Sequence, residues 1–314
     1  VFERHWRAKA YWPTVMDSID LWAQNRDRVV SDSATTQVAL LGASRIQFGV
    51  YPDVFRDEVR RLGANVEVSM LAINGHYPLA SLRDLASDER FTGIAIVGVD
   101  SRGLQKLHRE MQAKWPQYYR HEWTPAKNLH RTLLTQLQPH LIATRPDFSW
   151  SNLTVRQLDG YGPPNREYVT FRADRSGGTD YAKSDIPAVR DARARELEDY
   201  YAHVPAISAQ QWLDDNDVVI EWVKQINSRG GRVVFYREPV SGVHLSLDEA
   251  RFPRHEFWDP LARRMPATMI DFRDYEALNI ATPDTSHIDA KDIERHTRAL
   301  VRVLTEKRVF AKLP

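Results

Sequence analysis

The chain is 314 residues long, room for one large domain or two small ones, and its 42% hydrophobic and 10% aromatic content can supply an extensive core. Its 43 basic against 42 acidic residues leave a formal net charge of +1, which argues against a dedicated nucleic-acid binder with a basic face. Cysteine is absent, so disulfides, thiolate chemistry and cysteine-bound zinc are excluded, and no apolar run reaches the roughly 18–20 residues of a membrane span.

In chain order, the first thirty residues mix Trp6, Trp12 and Trp22 with many charges, and a helix is expected from Ser18 to Val29. Val38-Ala39-Leu40-Leu41 reads as a buried strand that stops at Gly42. Pro52 suits a first helical residue, and the helix it opens should end at Gly63. Asn65 to Gly75 reads as a second strand closed by the Asn74-Gly75 turn, Pro78 to Phe91 as a helix, and Gly93 to Asp100 as a third strand. Strands separated by helix-length segments predict βαβ units and a mainly parallel sheet.

From about Trp115 to Ala206 the pattern loosens into turn formers and charge, with a helix expected only around Asn128 to Leu137. Regularity returns with Trp212, Val219, Trp222, Val223 and Ile226 at helical spacing, stopped by Gly230-Gly231. Arg232 to Val240 gives a fourth strand, Met265 to Phe272 a short fifth, and Asp289 to Lys307 a last helix with Leu300, Val301 and Leu304 facing inward.

Two short stretches carry chemistry. Ser44 follows the turn at the end of the first strand, and Arg45 follows Ser44; a serine there is either a turn former or a presented side chain. Asp284 and His287, three residues apart before the last helix, allow a carboxylate to meet an imidazole and fix its tautomer, or merely to cap a turn. A serine hydroxyl needs such a base to become a nucleophile. Arg237 follows the fourth strand and would reach the same sheet edge as Ser44, as a substrate contact or in a salt bridge.

Together these stretches resemble the SGNH hydrolase superfamily, the GDSL-like esterases. Gly42-Ala43-Ser44 matches the first block, with Ser44 as nucleophile, and Asp284-Thr285-Ser286-His287 matches the last, completing a Ser-His-Asp triad. Gly75 matches the second block, so the resemblance implies that its amide and that of Ser44 hold the oxyanion. The third block carries Gly-x-Asn in the family, whereas this chain has Gly98-Val99-Asp100. A carboxylate at Asp100 would repel a developing negative charge unless protonated or turned away, and Asn74 is the nearby amide that could stand in. Losing one such donor costs about 10² to 10³ in rate. Arg45 resembles the Gly-x-Ser-Arg variants of bacterial envelope polysaccharide modification, where it would bind an acidic substrate group or pair with a carboxylate.

The resemblance implies an α/β fold, a three-layer α/β/α sandwich of flavodoxin-like architecture. It implies a single domain over residues 1–314 with an irregular insertion at about 115–206. It also implies a serine esterase or O-acyl transferase acting on acylated carbohydrate, with no metal or organic cofactor and no nucleic-acid partner. The rival expectation is a catalytically impaired protein that binds polysaccharide or helps to assemble it, alongside envelope polysaccharide assembly proteins. The start at Val1 and the lack of cysteine fit a periplasmic or extracytoplasmic protein with an upstream signal or membrane anchor. Two competing signals stand beside this. His121 and His255 each begin like a zinc helix but lack the second histidine, leaving a site from His244, His255 and scattered aspartates as the metal alternative. Trp115, Trp123 and Trp150 are the candidate sugar-stacking surface.

Overall fold

Residues 1–31, 35–164 and 169–311 are described by a computed structural model. Its centre is a five-stranded sheet of Thr36–Leu41 (β1), Val66–Met70 (β2), Ile94–Gly98 (β3), Arg232–Arg237 (β6) and Thr268–Asp271 (β7). Val169–Phe171 (β4) and Gly177–Thr179 (β5) form a separate antiparallel hairpin. The strand order in the sheet is β2-β1-β3-β6-β7 and every pairing is parallel. Both faces must therefore be covered, and the side-chain alternation along each strand divides them. Ala39, Leu41, Ala95, Val97, Val233 and Phe235 enter one core, covered by the helices Leu79–Ser87 and Asp217–Ser228. Val38, Leu40, Ile94, Ile96, Val234 and Tyr236 enter the other, covered by the helices Pro52–Arg61 and Ile293–Glu306. The result is the three-layer α/β/α arrangement.

The register sets up the functional edge. Leu41 pairs with Val97 and Val97 with Phe235, so three residues further on the strands deliver Ser44, Asp100 and Glu238 side by side. The order of strands reverses between β1 and β3, and the crevice at such a switch point is where open α/β sheets bind ligands. Gly98 lies against this edge with no room for a side chain, because a Cβ there would come within 2.1 Å of Ile46 and 2.3 Å of Glu238.

Two expectations are corrected. The helix read as continuous through Trp212 to Ile226 is two, Ala209–Asp215 and Asp217–Ser228. The buried Asn216 breaks it, its side-chain amide donating to the Trp212 carbonyl at 2.8 Å. The stretch from 115 to 206, read as irregular, carries the helices Pro125–Leu137, Trp150–Leu158 and Ile186–His203 and the β4–β5 hairpin, with Lys114–His121 at its start. Asp185 caps the Ile186–His203 helix by accepting from Ala188 N–H, and Pro187 sits in its first turn. Only Leu197 of its 18 residues is buried, so it lacks the apolar stripe by which a helix is usually recognised. Residues 165–168 of that stretch lie outside the described residues.

Trp212 is fully buried and its indole N–H donates to the Ser101 carbonyl at 3.0 Å, beside the functional edge. Trp212→Ala should lower the unfolding free energy by about 3–5 kcal/mol, read from denaturant titrations, through a cavity and an orphaned carbonyl.

Candidate active site

Ser44 opens a single helical turn, Ser44–Gln47, directly after β1. Two buried glutamines brace the loops around it. The Gln47 side-chain oxygen accepts from Asn74 N–H at 2.9 Å. Gln112 donates to the carbonyls of Gly42 at 3.0 Å and His76 at 2.8 Å. Neither glutamine stands out by spacing in the sequence; only their burial in the folded chain reveals them.

Across the crevice, the loop before the last helix brings His287 to Ser44. The Ser44 hydroxyl donates to His287 Nε2 at 2.7 Å, and His287 Nδ1–H donates to Asp284 Oδ2 at 2.7 Å, the tautomer following from these partners. The other oxygen, Asp284 Oδ1, accepts the backbone N–H groups of Ser286 at 2.9 Å and His287 at 2.6 Å. Burial works against the Asp284 charge, but the hydrogen bonds from His287 and Ser286 outweigh it and hold the carboxyl well below its ordinary range. A hydroxyl, a ring base and an ionised orienting group are thus in hydrogen-bond sequence. Such an array can move a proton off the hydroxyl as the oxygen attacks an electrophilic carbon.

Ser44, Gly75 and His287 line a cavity of about 530 Å³ together with Arg45, Tyr77 and Tyr200. Ser44 N–H is at the start of its helical turn, where no backbone acceptor is available. Gly75 sits at φ +76°, a conformation that glycine adopts without strain, and its N–H makes no hydrogen bond within the described residues. Among the described residues neither N–H group has a hydrogen-bond partner, and both residues line the cavity.

The remaining expected residues are placed differently. Asn74 spends its backbone N–H on Gln47 and lies outside the cavity lining. Asp100 is turned into the protein: its Oδ2 is 2.6 Å from Arg45 Nη2, its Oδ1 accepts from Gly103 N–H at 2.7 Å, and it too is absent from the lining. Burial opposes its charge, yet Arg45 and then Arg102 keep the carboxyl far below its usual range. Its charge faces a guanidinium instead of an incoming carbonyl. Arg45 lines the cavity, with part of its guanidinium committed to that pair. Arg237 is buried against Glu249 at 2.9 Å and Asp271 at 3.5 Å, outside the cavity, so it takes the salt-bridge role and not that of a substrate contact. Trp115 and Trp123 pack on the core, Trp150 is exposed beside Phe2, and none of the three reaches the cavity. Its tyrosines are Tyr77 and Tyr200, set among five histidines, and His108 Nε2 and the Tyr200 hydroxyl are 2.8 Å apart.

Asp100, His244 and Asp248 bring one ligand atom each within 4.8 Å of one another, the geometry of a metal cluster. The chemistry of the surroundings does not suit a cation. Arg45 holds Asp100, and Arg102 is 3.8 Å from Asp100 and donates to His244 Nε2 at 3.3 Å. Two guanidinium groups already occupy the role a metal ion would play. His255 is exposed beside Glu256 and contributes nothing to this cluster.

Glu238 stands behind Arg45, and burial pushes its carboxyl up to about 7 with Arg45 opposing. A carboxyl whose pKa is raised on folding stabilises least when it is ionised, so its contribution falls as pH climbs from the unfolded value to about 7. Glu238→Gln should therefore gain stability relative to the parent between pH 5 and pH 8, by about 3 kcal/mol, and show no further gain above pH 8 in denaturant titrations.

No protein-family model matches the chain. No curated protein matches it either. Among solved structures it is similar to the crystal structure of TesA, at 9% identity and a TM-score of 0.40 over 86% of this chain and 99% of that one. A likeness of that size carries no argument about activity.

Proposed function

We propose that the chain is a serine esterase or O-acyl transferase of the SGNH type, with Ser44 as nucleophile, His287 as base and then acid, and Asp284 as the group that orients the ring. The observation that carries this reading is the pair of 2.7 Å contacts linking Ser44 to His287 and His287 to Asp284. A turn serine needs neither partner.

In the proposed reaction Ser44 Oγ attacks an ester carbonyl carbon as its proton passes to His287 Nε2. Asp284 stabilises the imidazolium. The carbonyl oxygen, now an oxyanion, accepts the N–H groups of Ser44 and Gly75. The carbon–oxygen bond to the alcohol breaks as His287 returns the proton to it, leaving an acyl group on Ser44. Water, or a sugar hydroxyl in a transferase, gives its proton to His287 and attacks that acyl carbonyl. The second oxyanion collapses, the bond from the acyl carbon to Ser44 Oγ breaks as His287 returns the proton to that oxygen, and the carboxylic acid or the new ester leaves. The chain's own groups suffice for every step.

An acetylated carbohydrate is the proposed substrate class. The cavity offers the rings of Tyr77 and Tyr200 beside the hydrogen-bonding groups His76, Glu196, Asp199 and His203, a mixed lining suited to a hydroxyl-rich ester. An extracytoplasmic setting, with polysaccharide assembly proteins as companions, belongs to the same proposal and rests on the Gly-x-Ser-Arg resemblance. The impaired-binder reading draws on Asp100; its pairing with Arg45 counts against repulsion of an oxyanion, while the amide donor of the family's third block is still absent.

Purified protein treated with a fluorophosphonate should carry the adduct on Ser44, located by peptide mass spectrometry. Ser44→Ala and His287→Ala should abolish the adduct and lower p-nitrophenyl acetate turnover by about 10³-fold or more. A folded parent protein that takes up no label and turns over no ester would refute the esterase reading.

A further inference from the structure

The turn that carries Asp284 and His287 is strained. Thr285 sits at φ +72°, a region that a β-branched residue rarely enters, and such residues persist only where the surroundings hold them. On one side Ser241 N–H donates to the Thr285 carbonyl at 2.9 Å, and Thr285 N–H donates to the Thr282 carbonyl at 2.9 Å. The other side is held by the Ile186–His203 helix, from the segment between β5 and β6. Arg190 Nε donates to the Pro283 carbonyl at 2.6 Å, and Arg193 Nη2 is 3.8 Å from Asp284 Oδ2, the oxygen that accepts from His287. One turn of helix thus grips the strained loop by its backbone and by its carboxylate.

We propose that Arg193 is a positioning residue of the triad, and that the Ile186–His203 helix couples the substrate cavity to the alignment of His287. This rests on the esterase reading above. The same helix lends the cavity Glu196, Leu197, Tyr200 and His203 as well as Arg193, so whatever fills the cavity bears on the element that holds Asp284. Arg193 is itself steadied by Glu196, 2.7 Å away, and keeps its guanidinium beside the buried carboxylate.

The charged and titratable groups facing this pair from the packed elements are Arg193 and Glu196 on the helix, Arg45 beside Ser44, and His244 on the Gly242–Arg251 helix. The same cavity also carries His76, Arg102, His108, Asp199 and His203. Arg190 faces the same turn through the Pro283 carbonyl. Of all these groups the Arg193 variants change only Arg193, and Arg190→Ala is read separately.

The test compares Arg193→Gln, Arg193→Lys and Arg190→Ala with the parent. It uses the fluorophosphonate labelling rate at Ser44 and the separate kcat and KM for p-nitrophenyl acetate, with thermal midpoints recorded for each. Arg193→Gln should label about tenfold more slowly through misorientation and lose kcat at an unchanged KM. Arg193→Lys, which keeps the cation, should recover most of that rate, and Arg190→Ala should slow labelling by loosening the same loop. Parent-like labelling in Arg193→Gln would overturn the inference and leave the esterase reading intact. Slower labelling that Arg193→Lys does not restore would also overturn it, reducing Arg193 to a helix-docking contact. A folded parent that takes no label would overturn both.

Discussion

Arg45 carries the charge that lets two carboxylates stand next to each other at the edge of the sheet, out of water. Parallel pairing puts Asp100 and Glu238 at one level, three residues beyond Val97 and Phe235, and both are buried. Even with Arg45 between them only Asp100 is held well below its ordinary range, while burial pushes the Glu238 carboxyl up to about 7. Arg45 meets Asp100 directly and opposes the upward push of burial on Glu238. Removing one partner of such a pair leaves an uncompensated buried charge, a loss of about 3–5 kcal/mol. Arg45 is therefore tied to the sheet, and Ser44 beside it inherits its position from that tie.

This pairing also gives Asp100 a physical role. Read along the chain, Gly98-Val99-Asp100 looks like a lost amide donor. In the folded protein the carboxylate has a different job, as the counter-ion of Arg45 and the acceptor of Gly103 N–H. Sequence position alone could not say which way the side chain turned. The two facts needed, the register of β1 with β3 and the reach of Arg45, exist only in three dimensions.

Much of the rest was legible. Apolar runs of alternating or continuous character marked all five strands of the sheet, because strands covered on both faces have few polar residues to disguise them. Pro52 and Gly63 bounded a helix now seen at Pro52–Arg61. That Ser44, Asp284 and His287 would meet was implied by the family resemblance, and two 2.7 Å contacts join them. What was missed shares one cause: it depends on polar residues acting as structure. Gln47 and Gln112 hold loops through amide hydrogen bonds that have no periodicity. Asn216 ends a helix from within an apolar pattern. The Ile186–His203 helix is built from alanine, arginine and glutamate, good helix formers with almost no apolar face to announce them. A stretch of some ninety residues without structure inside a compact fold should itself have argued for hidden helices.

Ser44 and His287 are 243 residues apart in the chain. During synthesis from the amino end, the serine loop and its sheet neighbours β2 and β3 leave the ribosome long before the turn that carries His287. Until that turn docks, the Ser44 hydroxyl lacks its imidazole partner. The contact between the two therefore reports that the last layer has closed over the sheet. A chain stalled or cleaved before His287 would keep β1, β2, β3, β6 and β7 and have no Ser44–His287 contact.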